Sequence, residues 1–315
     1  MKQVIHTSQY MIVSSECSIA NPSLLSDFID YLDVSPATVQ TYSKSLRQLF
    51  RYLTAQGISN PTRESLLEFR KSLENDGHKA STIALYLAAT RRFFTWCEQK
   101  GIYPNVASGI KAPRISKGHK KDCMNGTQVK QIMNGIDRSS LEGLRNYAVL
   151  ALMATCGLRT VEVVRANVED LRNECGVYVL YVQGKGKNDK ADFVKLSEPV
   201  LKAIREYLTA RGQVKGEAPL FASCSRRNRG RRLTTRTISG IAKSSMLRAG
   251  YNSTRLTAHS FRHTAITLAL MNGHTLADVQ YFARHSSINT TMIYNHAVNR
   301  MKSLCEMSVS NAIFG

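Results

Sequence analysis

Five kinds of side chain in this sequence stand where chemistry would need them. Arg159 follows an apolar run, LEGLRNYAVLALMATCG, that stops at Gly157, and Glu162 lies three residues on, where a carboxylate can brace the guanidinium. His259 and Arg262 are three apart, so both project from one face of a helix. Lys185 stands in a tight glycine-rich turn, His285 in a polar stretch, and Tyr294 nine residues after it. A charge among apolar helices is expensive unless it has a partner or a task. Each has a bland reading: Arg159 with Glu162 as an ordinary i,i+3 ion pair, Lys185 as a solvated turn lysine. His259 and His263 have the spacing of a zinc-protease helix, but Ser260 stands where that chemistry needs glutamate, so no metal is expected. The turn GKGK, residues 184–187, lacks the length and the closing Lys-Ser/Thr of a P-loop, which argues against nucleotide binding.

As a set, these groups suit a phosphodiester. Two arginines can neutralise its non-bridging oxygens as charge builds in a five-coordinate transition state. Histidines and a lysine can donate hydrogen bonds and move protons, and a tyrosine can attack phosphorus, leaving a phosphotyrosine ester and a free 5′ hydroxyl. The ester stores the energy of the broken bond, so neither ATP nor a metal is required. Four stretches, TCGLRTVEV (155–163), VQGKGKNDK (182–190), HSFRHTAIT (259–267) and RHSSINTTMIYNH (284–296), resemble in order and spacing the signatures of the tyrosine recombinases, the phage-integrase family of site-specific DNA recombinases. The likeness spans roughly residues 24–300. It implies that Arg159 and Arg262 clamp the scissile phosphate and Tyr294 attacks it. Lys185 would protonate the departing 5′ oxygen, His259 assist proton transfer, His285 hydrogen-bond the phosphate, and Glu162 support Arg159. The family usually has glycine before the second histidine; Arg284 stands there, which puts the local turn in question and suggests a further DNA phosphate contact. The same resemblance implies a C-shaped clamp around duplex DNA and four protomers on two core sites of inverted-repeat type. Strands would be exchanged through a Holliday junction, in integration, excision or resolution, with room for directionality or accessory proteins. A type IB topoisomerase-like nicking and closing enzyme and a catalytically silent DNA-binding protein are the competing readings.

These side chains need a scaffold, and the sequence outlines one that is mainly α with a small antiparallel sheet. Asn21-Pro22, Ser35-Pro36 and Asn60-Pro61 each set a capping side chain before a proline, the arrangement that starts a helix. Val39, Tyr42, Leu46, Leu49 and Leu53 recur at helical spacing before Gly57, and Ile83, Tyr86, Leu87, Thr90, Phe94 and Cys97 before Gly101. Residues 1–20 read as a flexible N-terminal segment and 21–107 as a helical bundle, which by the resemblance is the SAM-like core-binding domain. Residues 108–121 read as a linker and 122–300 as the catalytic domain. The tail, 301–315, carries apolar residues that dock on a neighbouring protomer if the resemblance holds, or on their own domain. A capped helix is expected at Thr127. GVYVLYVQG and KADFVKLS form a hairpin, and the stretches from Glu198 onward are mainly helical. Between His285 and Tyr294 an unbroken helix would turn about 900° and set the two on opposite faces. The hydroxyl-rich SSINTT is therefore expected to end one helix and cap the next.

Charge points to the partner. The 315 residues carry a net +20, of which residues 1–116 contribute +4 and residues 117–315 contribute +16. From residue 218 to 277 there is no carboxylate, yet Arg226, Arg227, Arg229, Arg231, Arg232 and Arg236 crowd there. Phosphate-backbone binding explains such a tract, and a mobile basic loop kept for solubility is the alternative. With Lys44, Arg91, Arg92, Lys120, Lys121 and Arg284 these arginines are the expected contacts to double-stranded DNA. Seven cysteines without a C-x-x-C pair argue against a disulfide framework and a cysteine metal site. No apolar run is long enough to span a bilayer and no secretory signal opens the chain. The expectation is a protein without cofactors in the cytoplasm, nucleoid-associated when bound to DNA.

Overall fold

Asn21 and Ser35, each followed by proline, do start the first two helices: Asn21 Oδ1 accepts from the Ser23 amide at 2.9 Å and Ser35 Oγ from the Thr38 amide at 3.4 Å. In the computed structural model, which describes residues 18–115, 122–184 and 186–315, these helices are α1 (Pro22–Tyr31) and α2 (Pro36–Ala55). The third start is displaced from Asn60-Pro61. Thr62 and Ser65 cap each other reciprocally, so α3 covers Arg63–Asn75. With α4 (Ala80–Gln99) these helices enclose Phe28, Leu46, Leu49, Leu53, Phe69, Phe93 and Phe94, with Phe28 edge-on to Phe93 at 5.4 Å. The core begins earlier than expected, because Ile19 is buried and its amide donates to the Ser59 carbonyl at 3.1 Å. The remainder of the expected flexible segment, residues 1–17, lies outside the described residues. The expected linker starts on packed ground: Ile110 joins this core, and Arg63 and Arg70 donate to the carbonyls of Ser108 and Lys111.

The chain divides into two compact units, residues 1–117 and 118–315. The second opens with α5 (Gly126–Asn134), capped by Asn125 rather than Thr127 because Asn125 and Gln128 exchange amide hydrogen bonds. The apolar run becomes α6 (Leu141–Thr155), buried from Ala148 to Met153 and packed along α8 (Glu198–Arg211). Gly157 then turns the chain with φ +60°, where a Cβ would press on the Phe282 ring at 3.3 Å, so glycine is favoured. A short helix, α7 (Thr160–Arg165), follows.

The expected hairpin is β2 (Val177–Val182) and β3 (Asp192–Lys195), and a third strand, β1 (Leu171–Glu174), extends it. The sheet runs β1-β2-β3, antiparallel throughout, with Leu180 opposite Leu171 and Val194. Four more helices, α9 (Thr235–Arg248), α10 (Ala258–Met271), α11 (Leu276–Ala283) and α12 (Ile288–Lys302), complete the expected mainly helical architecture. Ile266, Leu270, Val279, Ala283, Tyr294 and Val298 make a small separate core among the last three. The tail forms α13 (Cys305–Phe314), in which no residue is buried; Val309, Met307, Ile313 and Phe314 are 57%, 60%, 66% and 86% exposed. At the start of the tail Lys302 donates to the Met271 carbonyl at 3.3 Å. Among the described residues no helix is long and apolar enough to cross a membrane.

Candidate active site

Arg159 stands just ahead of α7, and Glu162 in the first turn of that helix reaches back to it. The Glu162 carboxylate accepts from the Arg159 amide at 2.8 Å through Oε2 and from the Arg159 guanidinium at 2.8 Å through Oε1. The pair is therefore more than an i,i+3 surface bridge, since Glu162 is fully buried. Burial alone would push its carboxyl up, but Arg284, the Arg159 amide and the Arg159 guanidinium outweigh it and hold Glu162 below the ordinary range.

Arg262 projects from α10 into the interior, where it is 5% exposed. It donates to the carbonyls of Gly157 and Ala283, and Arg159 donates to the next carbonyl, that of Arg284, at 3.3 Å. Two successive carbonyls of one turn thus hold the two arginines. Burial, then the like charges of Arg159 and Arg284, works against the Arg262 cation, so the cluster is electrostatically short of an anion.

Helix α11 ends at Ala283, and Arg284 adopts the left-handed conformation, φ 52° and ψ 48°. A residue with a Cβ pays on the order of 1–2 kcal/mol there. The chain is redirected over residues 284–287, and Ser287 caps α12 by accepting from the Asn289 amide at 3.3 Å. The break expected within SSINTT is real but earlier, since Ile288 to Thr291 already belong to α12. The turn brings the His285 and Tyr294 rings together, stacked at 6.1 Å between centroids, with His263 on the phenol at 5.2 Å. Burial, then Arg262, Arg159 and Arg284, pushes the His285 imidazole down to about 4, so it is neutral near pH 7. Burial pushes the Tyr294 phenol up to about 12, against the pull of Arg262 and Arg159. His259 is exposed near the start of α10.

Three groups that sequence reasoning passed over brace this arrangement. Thr291 is fully buried with Oγ1 2.9 Å from His285 Nδ1. Gln280 brackets the His285 backbone, its carbonyl accepting from the His285 amide and its Nε2 donating to the His285 carbonyl, each at 3.1 Å. The Gly157 carbonyl serves both Arg262 and Arg284. None of these links had a sequence signal, because they act through backbone atoms or across a turn.

Beside the arginines opens a cavity of about 580 Å³ lined by Arg159, Gly184, Lys187, Gln280, Arg284 and His285, among others. Lys185 lies outside the described residues. Arg165 donates to the Gly184 carbonyl at 2.9 Å, and Lys190 pairs with the buried Asp170 at 2.6 Å. Among the described residues no His, Cys, Asp and Glu cluster could hold a metal ion.

The expected DNA contacts divide. Lys44 and Arg92 are exposed on α2 and α4, while Arg91 is half-buried and donates to the Leu87 carbonyl at 3.2 Å. Arg226, Arg227, Arg229, Arg231 and Arg236 are exposed, and among the described residues none of the five enters an ion pair. Arg232 departs from them, holding the Val164 and Ala166 carbonyls at 2.7 and 3.1 Å and Asn167 Oδ1 at 2.6 Å. Arg284 corrects the expectation of a phosphate contact: its side chain is 7% exposed and folds inward onto Glu162. Lys120 and Lys121 lie outside the described residues.

Comparison with known proteins places this geometry. The phage integrase family matches residues 122–301, and the phage integrase N-terminal SAM-like domain matches residues 25–101. Tyrosine recombinase XerC of Haemophilus influenzae is 32% identical over 282 residues, covering 86% of this chain and 92% of that protein. Tyrosine recombinase XerD of Proteus mirabilis is 30% identical over 296 residues, covering 90% and 92%. Among solved structures, the XerH site-specific recombinase bound to palindromic difH substrate in a post-cleavage complex shares the fold, with a TM-score of 0.72 at 23% identity over 86% of this chain and 79% of that one.

Proposed function

The chain belongs to the phage integrase family of tyrosine recombinases, enzymes that cleave and rejoin DNA, and on that premise we propose how its residues divide the work. Arg159 and Arg262 bind the non-bridging oxygens of the scissile phosphate. The observation that carries this reading is the turn at residues 283–285, whose carbonyls hold both guanidiniums and whose histidine stacks on Tyr294. With their remaining N–H groups the arginines stabilise charge as it grows on the phosphoryl oxygens. The electrostatic strain around Arg262 is relieved when the phosphate arrives.

Tyr294 is the nucleophile. Its phenol is overwhelmingly protonated at neutral pH, which keeps it unreactive until the substrate is seated and its proton has somewhere to go. The Tyr294 oxygen bonds to phosphorus as the bond from phosphorus to the 5′ oxygen breaks. The phenolic proton leaves with assistance from His259, and Lys185 delivers a proton to the 5′ oxygen. His285, neutral, donates one hydrogen bond from Nε2 to the phosphate, which requires Nδ1 to accept from Thr291. Religation is the same sequence reversed, with the 5′ hydroxyl of a second duplex as attacker, so exchange needs no external energy.

The substrate in this reading is double-stranded DNA carrying inverted core sites, gripped through the exposed arginines of residues 226–236 and Lys44 and Arg92. The working assembly is a homotetramer passing through a Holliday junction. Support for assembly comes from α13, whose apolar side chains are exposed, and from a cavity of about 930 Å³ lined in part by Phe193, Leu268, Val279 and Phe282, suited to receive such a helix from a second protomer.

Nicked suicide duplexes made from the DNA flanking the gene test the reading. The expected product is a covalent 3′-linked protein-DNA adduct together with a free 5′ hydroxyl that a kinase labels without prior dephosphorylation. Adduct from the wild type but none from Tyr294→Phe supports the assignment, and adduct from both overturns it.

A further inference from the structure

Arg284 occupies a position that the family pattern fills with glycine, and the backbone there has the left-handed geometry that favours glycine. A strained residue persists where its surroundings over-determine it. Here the side chain explains the choice. It folds back beneath the turn, donating to the Phe282 carbonyl at 2.7 Å, to Glu162 Oε2 at 3.0 Å and to the Gly157 carbonyl at 3.3 Å. Glu162 is thus buried between two guanidiniums, that of Arg159 on Oε1 and that of Arg284 on Oε2. The Arg284 carbonyl also accepts from the other end of the Arg159 guanidinium. One residue therefore touches Arg159 directly through its backbone and indirectly through the shared carboxylate.

We infer that Arg284 is a positioning residue for Arg159, keeping Glu162 anionic in its buried place so that the Arg159 guanidinium stays fixed toward the scissile phosphate. This rests on the proposed role of Arg159. The Arg284 side chain is 7% exposed and is spent on Glu162 and backbone carbonyls, so its charge acts on the carboxylate. In a glycine-containing site the turn and its carbonyl would persist, but Glu162 would face burial with Arg159 and the Arg159 amide as its partners. The ionisable groups around this pair are Arg159 and Glu162 at α7, Cys156 at the end of α6, Arg262 and His263 on α10, His285 and Tyr294 beyond the turn, and Lys187 in the β2–β3 loop. Of these, Arg284 exerts the largest charge effect on Glu162 and opposes the effect of burial.

The sign of the pH effect follows. With Arg284 present, Glu162 stays ionised well into the acid range. Without it, protonation begins at higher pH, Arg159 loses its counter-ion, and cleavage fails earlier as pH falls.

The variants are Arg284→Gly, which suits the backbone and leaves the fold intact, Arg284→Lys, which keeps the charge, and Glu162→Gln. Single-turnover cleavage of suicide duplexes across pH 5 to 8 is measured beside the titration of the Glu162 carboxyl carbon, carried down to the acid limit of the folded state, by NMR of 13C-glutamate-labelled protein, with Glu162→Gln identifying the resonance. Arg284→Gly is expected to cleave about tenfold more slowly at neutral pH, with its acid limb and the Glu162 titration both moved upward and its melting temperature lowered, because buried Glu162 loses a partner. Arg284→Lys restores most of the rate, and adding Arg284→Gly to Glu162→Gln costs nothing further. Unchanged titration of Glu162 in Arg284→Gly overturns the inference, as does a wild-type rate and acid limb. Failure of the wild type to form a Tyr294-dependent adduct would instead overturn the proposed function, and the NMR titration would still judge the link between Arg284 and Glu162.

Discussion

Replacing Thr291 with valine removes one hydroxyl and almost no volume, which makes it a sharp probe of how His285 works. The hydroxyl lies 2.9 Å from His285 Nδ1, and the residue is fully buried, so no water replaces it. The imidazole is neutral near pH 7, with one N–H to offer. If Thr291 donates to Nδ1, that N–H is held on Nε2, free for the phosphate. In Thr291→Val a buried acceptor loses its partner, at a cost of about 1–3 kcal/mol. For a unit of this size each kcal/mol lowers the melting temperature by roughly 2–4 °C, so a fall of about 2–12 °C is expected by calorimetry. The proton is also no longer confined to Nε2, and a catalytic hydrogen bond made only part of the time lowers single-turnover cleavage by about tenfold, equivalent to ~1.4 kcal/mol. Thr291→Ser keeps the donor and is expected to stay within about threefold of wild type. A valine variant that melts lower but cleaves at the wild-type rate would refute the tautomer argument, and one unchanged in both would refute the hydrogen bond itself.

Further expectations can be checked independently. The His285 imidazole titrates near 4 when folded and about 6.5 when unfolded, so its share of stability is intact above pH 6.5 and lost as pH falls toward 4, by roughly 3 kcal/mol in all; urea titrations at pH 7 and 5 should show a smaller fall for His285→Gln than for wild type. Arg232→Ala should cost about 1–2 kcal/mol of stability because it removes three hydrogen bonds, measured by denaturation, whereas Arg227→Ala should leave stability alone and reduce the slope of log affinity for duplex DNA against log salt by about one. Deleting residues 303–315 should leave single-site DNA binding unchanged in gel-shift titrations and abolish cooperative assembly on paired sites; retained cooperativity would dismiss α13 as the bridging element.

Much of this was legible in sequence because local rules act locally. Asn21-Pro22 and Ser35-Pro36 start helices where they stand, and the glycines after α2 and α4 end them. Where two local signals competed, the reciprocal capping box of Thr62 and Ser65 set the helix start rather than Asn60-Pro61. Strand β1 escaped notice because LRNE is mostly exposed and polar, with no alternation to betray it. In the site, spacing exposed Arg159, Glu162, His259, Arg262, His285 and Tyr294, since the residue types that handle phosphate are few. Thr291, Gln280 and the carbonyls of Gly157 and Ala283 were invisible, because their part depends on a turn that joins distant backbone atoms. The inward direction of Arg284 was equally hidden. An arginine standing beside a motif histidine, where the family pattern has glycine, reads as a DNA contact until the left-handed backbone turns it toward Glu162.

The claim that Tyr294 is the nucleophile is tested most directly by mapping the covalent adduct. Digesting the protein-DNA product with protease and nuclease and sequencing the nucleotide-bearing peptide by mass spectrometry should place a phosphonucleotide on Tyr294, with the 3′ phosphate as the link. The telling competitor is Tyr281, which is 85% exposed and lines the same cavity as Arg159 and Arg284. A nucleotide found on Tyr281, or on any residue other than Tyr294, would contradict the account.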